Sequence, residues 1–356
     1  MEESIDKRAR EAIDEAIFPG CIVGIVRRDG QRFLFPFGRF TYDRESPPVD
    51  DDSLFDIASI TKVIPTAVLA LKLMGESKLD LYDRVERFLP ELGNSHKNEI
   101  MVWHLLTHTL HYGFRLSAHR DSAPENLLHL LFTEEFLSPP GSVFSYSNGA
   151  SILLGILVER VAGKRLDRLA DELFFKPLQM ARTSFHPRNK FPKEQIVPTE
   201  FDPWRNRMLQ GEVHDESAFI LNRIMVPGSA GLFSTAGDLL NFLEMLLKGG
   251  IYQHYRFFSR RIIEMICTNQ IASIRGCTGL GWELDQKVFM GTLCSKKTIG
   301  KTGFTGCSCV CDMEKGIGIV LLSNYTFPQR KSSRDPIDAV RRDIADIVFR
   351  ESITGW

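Results

Sequence analysis

Strand-like segments crowd the two ends of this chain, and helix-like segments fill what lies between. Near the start, Cys21 to Arg27 and Arg32 to Phe37 read as the strands of a hairpin turned at Asp29-Gly30. Near the end, Cys277 to Leu284, Val288 to Met290, Lys297 to Gly300, Phe304 to Asp312 and Ile317 to Ser323 all read as extended, with turn signals such as Glu314-Lys315-Gly316 between them. The expectation is one antiparallel sheet assembled from both ends, flanked by helices, with a helical region inserted. Residues 2–17 have helical spacing at Ile5, Ala9, Ala12, Ile13, Ala16 and Ile17, and Pro19-Gly20 stops them. A last helix runs from about Pro336 to Arg350, with Ser333 or Asp335 as its cap. Between the ends, helices are expected at 101–107, 123–132, 148–163, 166–175 and 236–248. Thr61 to Met74 is apolar on nearly all sides, as in a buried helix, and Pro65 is tolerable there only in the first turn or two. Residues 187–228, with their prolines and polar residues, read as a long surface excursion. This layout puts Ser59 at the junction, on the first turn of a central helix.

The composition excludes several classes of function. Of 356 residues, 43% are apolar, enough for a large core, and the net charge is -1. No basic excess exists to neutralise phosphates, so neither nucleic acid nor an anionic membrane is expected as a partner. The start, Met1-Glu2-Glu3-Ser4-Ile5-Asp6, lacks the basic and apolar run of a secretion signal. The best candidate for a membrane span, Val63 to Met74, is short and carries Lys72. Seven cysteines, an odd number, argue against a complete disulfide framework. The chain reads as cytoplasmic and reduced.

Three short strings carry the chemistry. In Ser59-Ile60-Thr61-Lys62 the serine and lysine are three apart, so a helix puts them on one face and brings the amine to the hydroxyl. In Tyr146-Ser147-Asn148 the phenol is a poor base unless cations surround it, and Lys62 and Lys301 can supply that field. Tyr146 would then take the Ser59 proton and pass it to a leaving group, while Asn148 holds a substrate carbonyl or Lys62. In Lys301-Thr302-Gly303 the glycine allows close approach of backbone to ligand. An edge strand there would donate the Phe304 N–H, which with the Ser59 N–H makes an oxyanion hole. Lys301 would sit near Tyr146 or bind a substrate carboxylate. Rival sites are His104 and His108, at the spacing of two zinc ligands on a helix but without a zincin's glutamate. Cys307, Cys309 and Cys311 share one face of a strand, as core residues or as soft-metal ligands. His214-Asp215-Glu216 resembles a triad fragment, though sequence neighbours rarely point together.

With these strings in this order, the chain resembles the serine β-lactamase-like family: class C β-lactamases, related low-molecular-weight penicillin-binding proteins and family VIII esterases. The likeness extends to Phe55-Asp56-Ile57-Ala58, Leu105-Leu106-Thr107-His108-Thr109, Pro140-Gly141, Leu154-Gly155, Pro177-Leu178-Gln179-Met180, Ala230-Gly231-Leu232-Phe233-Ser234-Thr235, Gly306 and Leu322-Ser323-Asn324. It implies an α/β sandwich domain from residues 1–80 and 270–356, a mainly helical domain from 81–269, and an active site at their junction. Ser59 would be the acylated nucleophile, Lys62 its partner and Tyr146 the general base. Asn148, Lys301, Thr302, Gly303 and Phe304 would bind substrate and oxyanion. No metal or organic cofactor is implied. Lys301 stands where many esterase-like members carry His, nearer the lactamase form. Thr109-Leu110-His111 departs from the family's usual Thr-Ser-Gly, and the cysteine-rich strand is unusual. The lack of a visible secretion signal weighs against a resistance enzyme or wall peptidase. The expected activity is that of a serine hydrolase acting through an acyl-enzyme on a small ester or amide, with β-lactam hydrolysis as a further capacity. The alternatives are a non-catalytic binding protein of the same fold, a D-Ala-D-Ala-type peptidase, or a metal-dependent hydrolase at His104 and His108. Oligomeric state is left open.

Overall fold

A computed structural model describes residues 1–351. Its main sheet has six strands, β1 (Gly20–Arg27), β2 (Arg32–Gly38), β3 (Glu283–Leu284), β4 (Thr298–Thr302), β5 (Ser308–Asp312) and β6 (Ile317–Ser323). Their spatial order is β2-β1-β6-β5-β4-β3, and every pairing is antiparallel. β1 lies against β6, from Cys21 opposite Ser323 to Arg27 opposite Ile317, so the N-terminal hairpin completes a sheet begun at the other end of the chain. The helices include α1 (Glu2–Asp14), α2 (Val68–Gly75), α3 (Asn148–Ala162), α4 (Ala236–Leu247) and α5 (Asp335–Glu351). The fold class is the expected one, an antiparallel sheet flanked by helices with helical structure between its two halves.

β1 is apolar at nearly every position because both of its faces are covered. Cys21, Val23 and Ile25 face one way, into a core shared with Ile5 and Ala9 of α1 and Ile344 and Val348 of α5. Ile22 and Val26 face the other way, into the core that holds Leu240 and Leu243 of α4. Alternate strand residues point to opposite faces, so a strand covered twice reads as a continuous apolar run. α4, near the end of the stretch 81–269, packs on the sheet. Cys307, Cys309 and Cys311 sit in that same core, fully buried. Burial raises all three thiols, Cys307 to about 11, which opposes the thiolate a soft metal needs. They pack as core residues.

Three local expectations are corrected. Thr61 to Met74 is not one regular helix: a 3-10 turn (Ala58–Lys62) and a wide turn (Val63–Ala67) precede α2. Ile64 breaks the spiral at φ -117°, ψ 106°, because the residue before a proline is forced out of the helical region. The whole stretch Ala58–Gly75 is long and apolar enough to cross a membrane, but 78% of it is buried inside the fold. Residues 187–228 are not a surface excursion. They hold a small hairpin (Glu200–Asp202 with Arg207–Leu209) and a helix (Glu216–Leu221), and they bury Ile196, Val197, Leu209 and His214. Val288–Met290, read as extended, belongs to a helical turn, Lys287–Met290. At the C-terminal helix, the Ser333 hydroxyl accepts the Asp335 N–H at 3.0 Å.

Candidate active site

The site begins at a buried carboxylate. Phe55–Asp56 pairs with Phe233–Ser234, which anchors the chain just ahead of Ser59. One oxygen of Asp56 accepts the Ala58 N–H at 2.8 Å and the other accepts the His214 N–H at 2.9 Å. Ala58 is thereby held at φ 48°, and the chain turns sharply into the 3-10 segment that presents Ser59 half-exposed. Three residues on, the Lys62 Nζ donates to Ser59 Oγ at 3.0 Å and to the Ser229 carbonyl at 2.7 Å. Lys62 is only 2% exposed, so its amine is fixed between those two oxygens.

Tyr146 and Asn148 reach the same point from the start of α3, where the Ser147 hydroxyl accepts the Ala150 N–H as N-cap. Tyr146 is 46% exposed and lines the same cleft as Ser59. The Lys301 Nζ lies 4.3 Å and the Lys62 Nζ 5.3 Å from its ring centroid. Burial alone would raise the phenol, but the charges of Lys301 and Lys62 and the Ser59 hydrogen bond outweigh it and hold Tyr146 below its ordinary value. Asn148 Nδ2 donates to Asp215 at 2.9 Å and to Ser217 Oγ at 3.1 Å, so its amide is oriented rather than free. Burial works against the Asp215 charge, but its bond from Ser217 and the nearby Lys62 keep it ionised.

Lys301, Thr302 and Gly303 form the end of β4 and the residue after it. β3 pairs with β4 only at Ile299 and Gly300, which leaves the Lys301–Thr302 edge facing the cleft. Lys301 is ion-paired with Glu283 at 2.7 Å, and this carboxylate raises the ammonium against the opposing effect of burial. Its charge is therefore shared between Tyr146 and Glu283. Thr302 Oγ1 accepts from Arg334 at 2.9 Å. Gly303 is required by contact: a methyl there would stand 2.5 Å from the Ile57 carbonyl oxygen and 3.2 Å from Ala58 Cβ. Gly303→Ala must push the strand end off the nucleophile turn. The expected cost is about 1–3 kcal/mol of stability, as for other overpacked sites, with a larger loss of turnover. Denaturant titration alongside an activity assay checks this, and parental values in both would contradict it.

Phe304 was expected on an edge strand. It stands instead in the tight turn beyond β4, where the Gly306 N–H bonds to the Gly303 carbonyl at 3.1 Å. The turn begins because the Gly303 N–H pairs back to the Cys307 carbonyl at 2.8 Å. A cleft of about 520 Å³ runs over Ser59, Tyr146, Thr302 and Phe304, with Phe144 and Glu283 in its walls. A second hollow of about 430 Å³, with Tyr112, Phe114 and Arg115 in its walls, lies on the Asn148 side and shares Tyr146 with the first.

The three strings thus meet in one place, and they bring partners from outside the strings. Glu283 is one, set opposite Gly300 by strand register. Asp215 is another; it caps the helix Glu216–Leu221 by accepting the Ala218 N–H. His108 is a third, its ring 4.9 Å from that of Tyr146 and kept neutral by burial and by Lys301 and Lys62. The histidine pair read as a metal alternative is split. The helix ends at Thr107, His108 turns away at φ 54°, and His104 Nδ1 accepts the Met101 N–H at 2.9 Å. Among the described residues no group of three or more His, Cys, Asp or Glu is placed to hold a metal ion. His214, Asp215 and Glu216 point to three different partners, Glu200, Asn148 and Arg330.

A family model described as Beta-lactamase matches residues 5–342. A protein of Escherichia coli strain K12, provisionally named a D-alanyl-D-alanine carboxypeptidase, is 32% identical over 302 residues, 76% of this chain and 69% of its own. The N-acetylmuramyl-L-alanine amidase of Bacillus subtilis strain 168 is 28% identical over 350 residues, 86% of this chain and 77% of its own. The solved structure of EstCE1, a hydrolase with promiscuous acyltransferase activity, is similar with a TM-score of 0.74 at 22% identity, across 97% of this chain and 99% of that one.

Proposed function

Because this chain belongs to the beta-lactamase family of hydrolases, we propose that it is a serine hydrolase that forms an acyl-enzyme on Ser59. The observation that carries this reading is the Lys62 amine 3.0 Å from Ser59 Oγ, beside a phenol flanked by two lysines. Tyr146, as phenolate, takes the Ser59 proton while Oγ bonds to the substrate carbonyl carbon. The oxyanion is held by the N–H groups of Ser59 and Phe304. Collapse breaks the ester C–O or amide C–N bond, and Tyr146 returns the proton to the departing oxygen or nitrogen. Water, deprotonated by the same phenolate, then attacks the acyl carbon, the Ser59 Oγ–C bond breaks, and Tyr146 returns the proton to Oγ as the acid departs. Lys62 fixes the hydroxyl, Lys301 keeps the phenol acidic, and Asn148 lines the acyl side.

The substrate we propose is a small ester or amide, with β-lactam hydrolysis as a second capacity. A D-Ala-D-Ala-type peptidase is the other reading, and the name of the Escherichia coli relative supports it. A non-catalytic binding role is disfavoured because nucleophile, amine and phenol are all present and aligned. The test compares p-nitrophenyl esters, a chromogenic cephalosporin and a D-Ala-D-Ala peptide. Fastest turnover of the esters supports the main reading, and fastest release of D-Ala replaces it with the peptidase. Binding without turnover of all three would contradict the enzyme assignment.

A further inference from the structure

Phe304 carries one of the two proposed oxyanion donors, yet its turn is short and flanked by Gly303 and by Gly306 at φ 120°, a sequence with little stiffness of its own. Its ring is gripped from outside. The His214 ring meets it edge to face at 4.6 Å, and the Arg330 guanidinium lies 5.5 Å from its centroid. His214 and Arg330 are themselves tied to one carboxylate: Glu200 accepts from His214 Nε2 and, at 2.9 Å, from Arg330 Nε. A second arm of Arg330 is ion-paired with Glu216 at 2.8 Å. Burial would raise Glu200, but the hydrogen bonds from His214 and Arg330 hold its carboxyl at about 2. The His214 backbone continues the chain of contacts to the nucleophile, since its N–H is bound by Asp56, the residue that sets the Ala58 turn. The Thr305 hydroxyl closes the circuit by donating to the Asp56 carbonyl at 2.8 Å.

We infer that Arg330, acting through Glu200 and His214, is a positioning residue that aims the Phe304 N–H at the carbonyl oxygen being attacked. This rests on the reading of Phe304 as an oxyanion donor. Glu200 and His214 are buried and Arg330 caps them from a 41% exposed position; such a network adds little stability over apolar packing, whereas its fixed hydrogen bonds dictate direction. This network connects the two turns that must keep register with each other, the one before Ser59 and the one bearing Phe304. Arg330 enters from the loop after β6 and reaches the site through the ring it covers, so it touches no reacting atom.

The experiment compares Arg330→Met, Arg330→Lys and Ser59→Ala with the parent, using p-nitrophenyl acetate turnover, a fluorophosphonate probe and thermal melting. Arg330→Met keeps the stem that covers the ring and removes the fork. Its kcat should fall by about ten-fold with KM within about two-fold, and Ser59 labelling should slow by a similar factor, as misplacement of a donor predicts. Arg330→Lys, whose ammonium can pair with Glu200 but cannot bridge Glu200 and Glu216 as the fork does, should recover only part of the loss, with kcat between those of Arg330→Met and the parent. If Arg330→Met does not fold, Glu200→Gln, which keeps the shape, should show the same kcat loss. Parental kcat in a folded Arg330→Met, a rise in KM matching the fall in kcat, or no recovery with lysine would each overturn the inference. Ser59→Ala separates the two levels. Turnover surviving there sinks the serine-hydrolase reading itself. A dead Ser59→Ala beside a fully active Arg330→Met sinks only the clamp.

Discussion

Ser59→Ala should reduce turnover of every substrate the protein accepts by at least about 10³-fold, because loss of a nucleophile removes the step that the rest of the site serves. Fold and substrate binding should survive. Ser59 is half-exposed, its side chain is small, and Lys62 keeps its second bond to the Ser229 carbonyl. The readout is kcat on the best p-nitrophenyl ester, with melting temperature as the control. Turnover within about ten-fold of the parent would mean that another group attacks the substrate, since a water-mediated bypass does not come that close.

Tyr146→Phe should have the next largest effect, a fall in kcat of about 10²–10⁴-fold, the range for removing a positioned general base. The ring and its contacts with His108, Lys62 and Lys301 remain possible in the variant, so the loss reports the hydroxyl. The phenol also sets a pH signature. Only its deprotonated form can accept the Ser59 proton, so activity should rise with pH through the pKa of Tyr146, which the two lysines hold below the ordinary tyrosine value. Lys301→Gln removes one of those charges. The phenol should then hold its proton to higher pH, and the acidic limb of the kcat profile should move in the alkaline direction. An unmoved limb would show that the titrating base is not a phenol in the field of Lys301.

Which parts could be read from the chain follows from the range of the interactions involved. The Cys21–Arg27 and Arg32–Phe37 hairpin was legible because an Asp-Gly turn and two apolar runs are local signals. Ser59 and Lys62 were legible because three residues on a helical turn is itself a geometry. Val288–Met290 was misread because a single four-residue turn is too short for its periodicity to declare itself, and Val and Phe are common in strands. Residues 187–228 looked exposed because of their prolines and polar residues. The structure buries several of those polar groups in pairs, such as His214 with Glu200 and Arg205 with Asp202. Glu283 beside Lys301 and Asp215 beside Asn148 were invisible for a related reason. The first depends on which strand lies next to β4, the second on where the start of the Glu216–Leu221 helix meets the start of α3, and neither leaves a pattern in nearby residues. The motif strings therefore named the groups that meet in the cleft, while the side chains paired with them came from tertiary contacts.

The most direct measurement is trapping of the covalent intermediate. The protein is incubated with a fluorophosphonate or a penicillin, and intact mass and peptide mapping locate any adduct. The account predicts one adduct per chain, on the peptide that carries Ser59, and none on Ser59→Ala. An adduct on a different residue, or a protein that hydrolyses esters while taking up no label at Ser59, would contradict it.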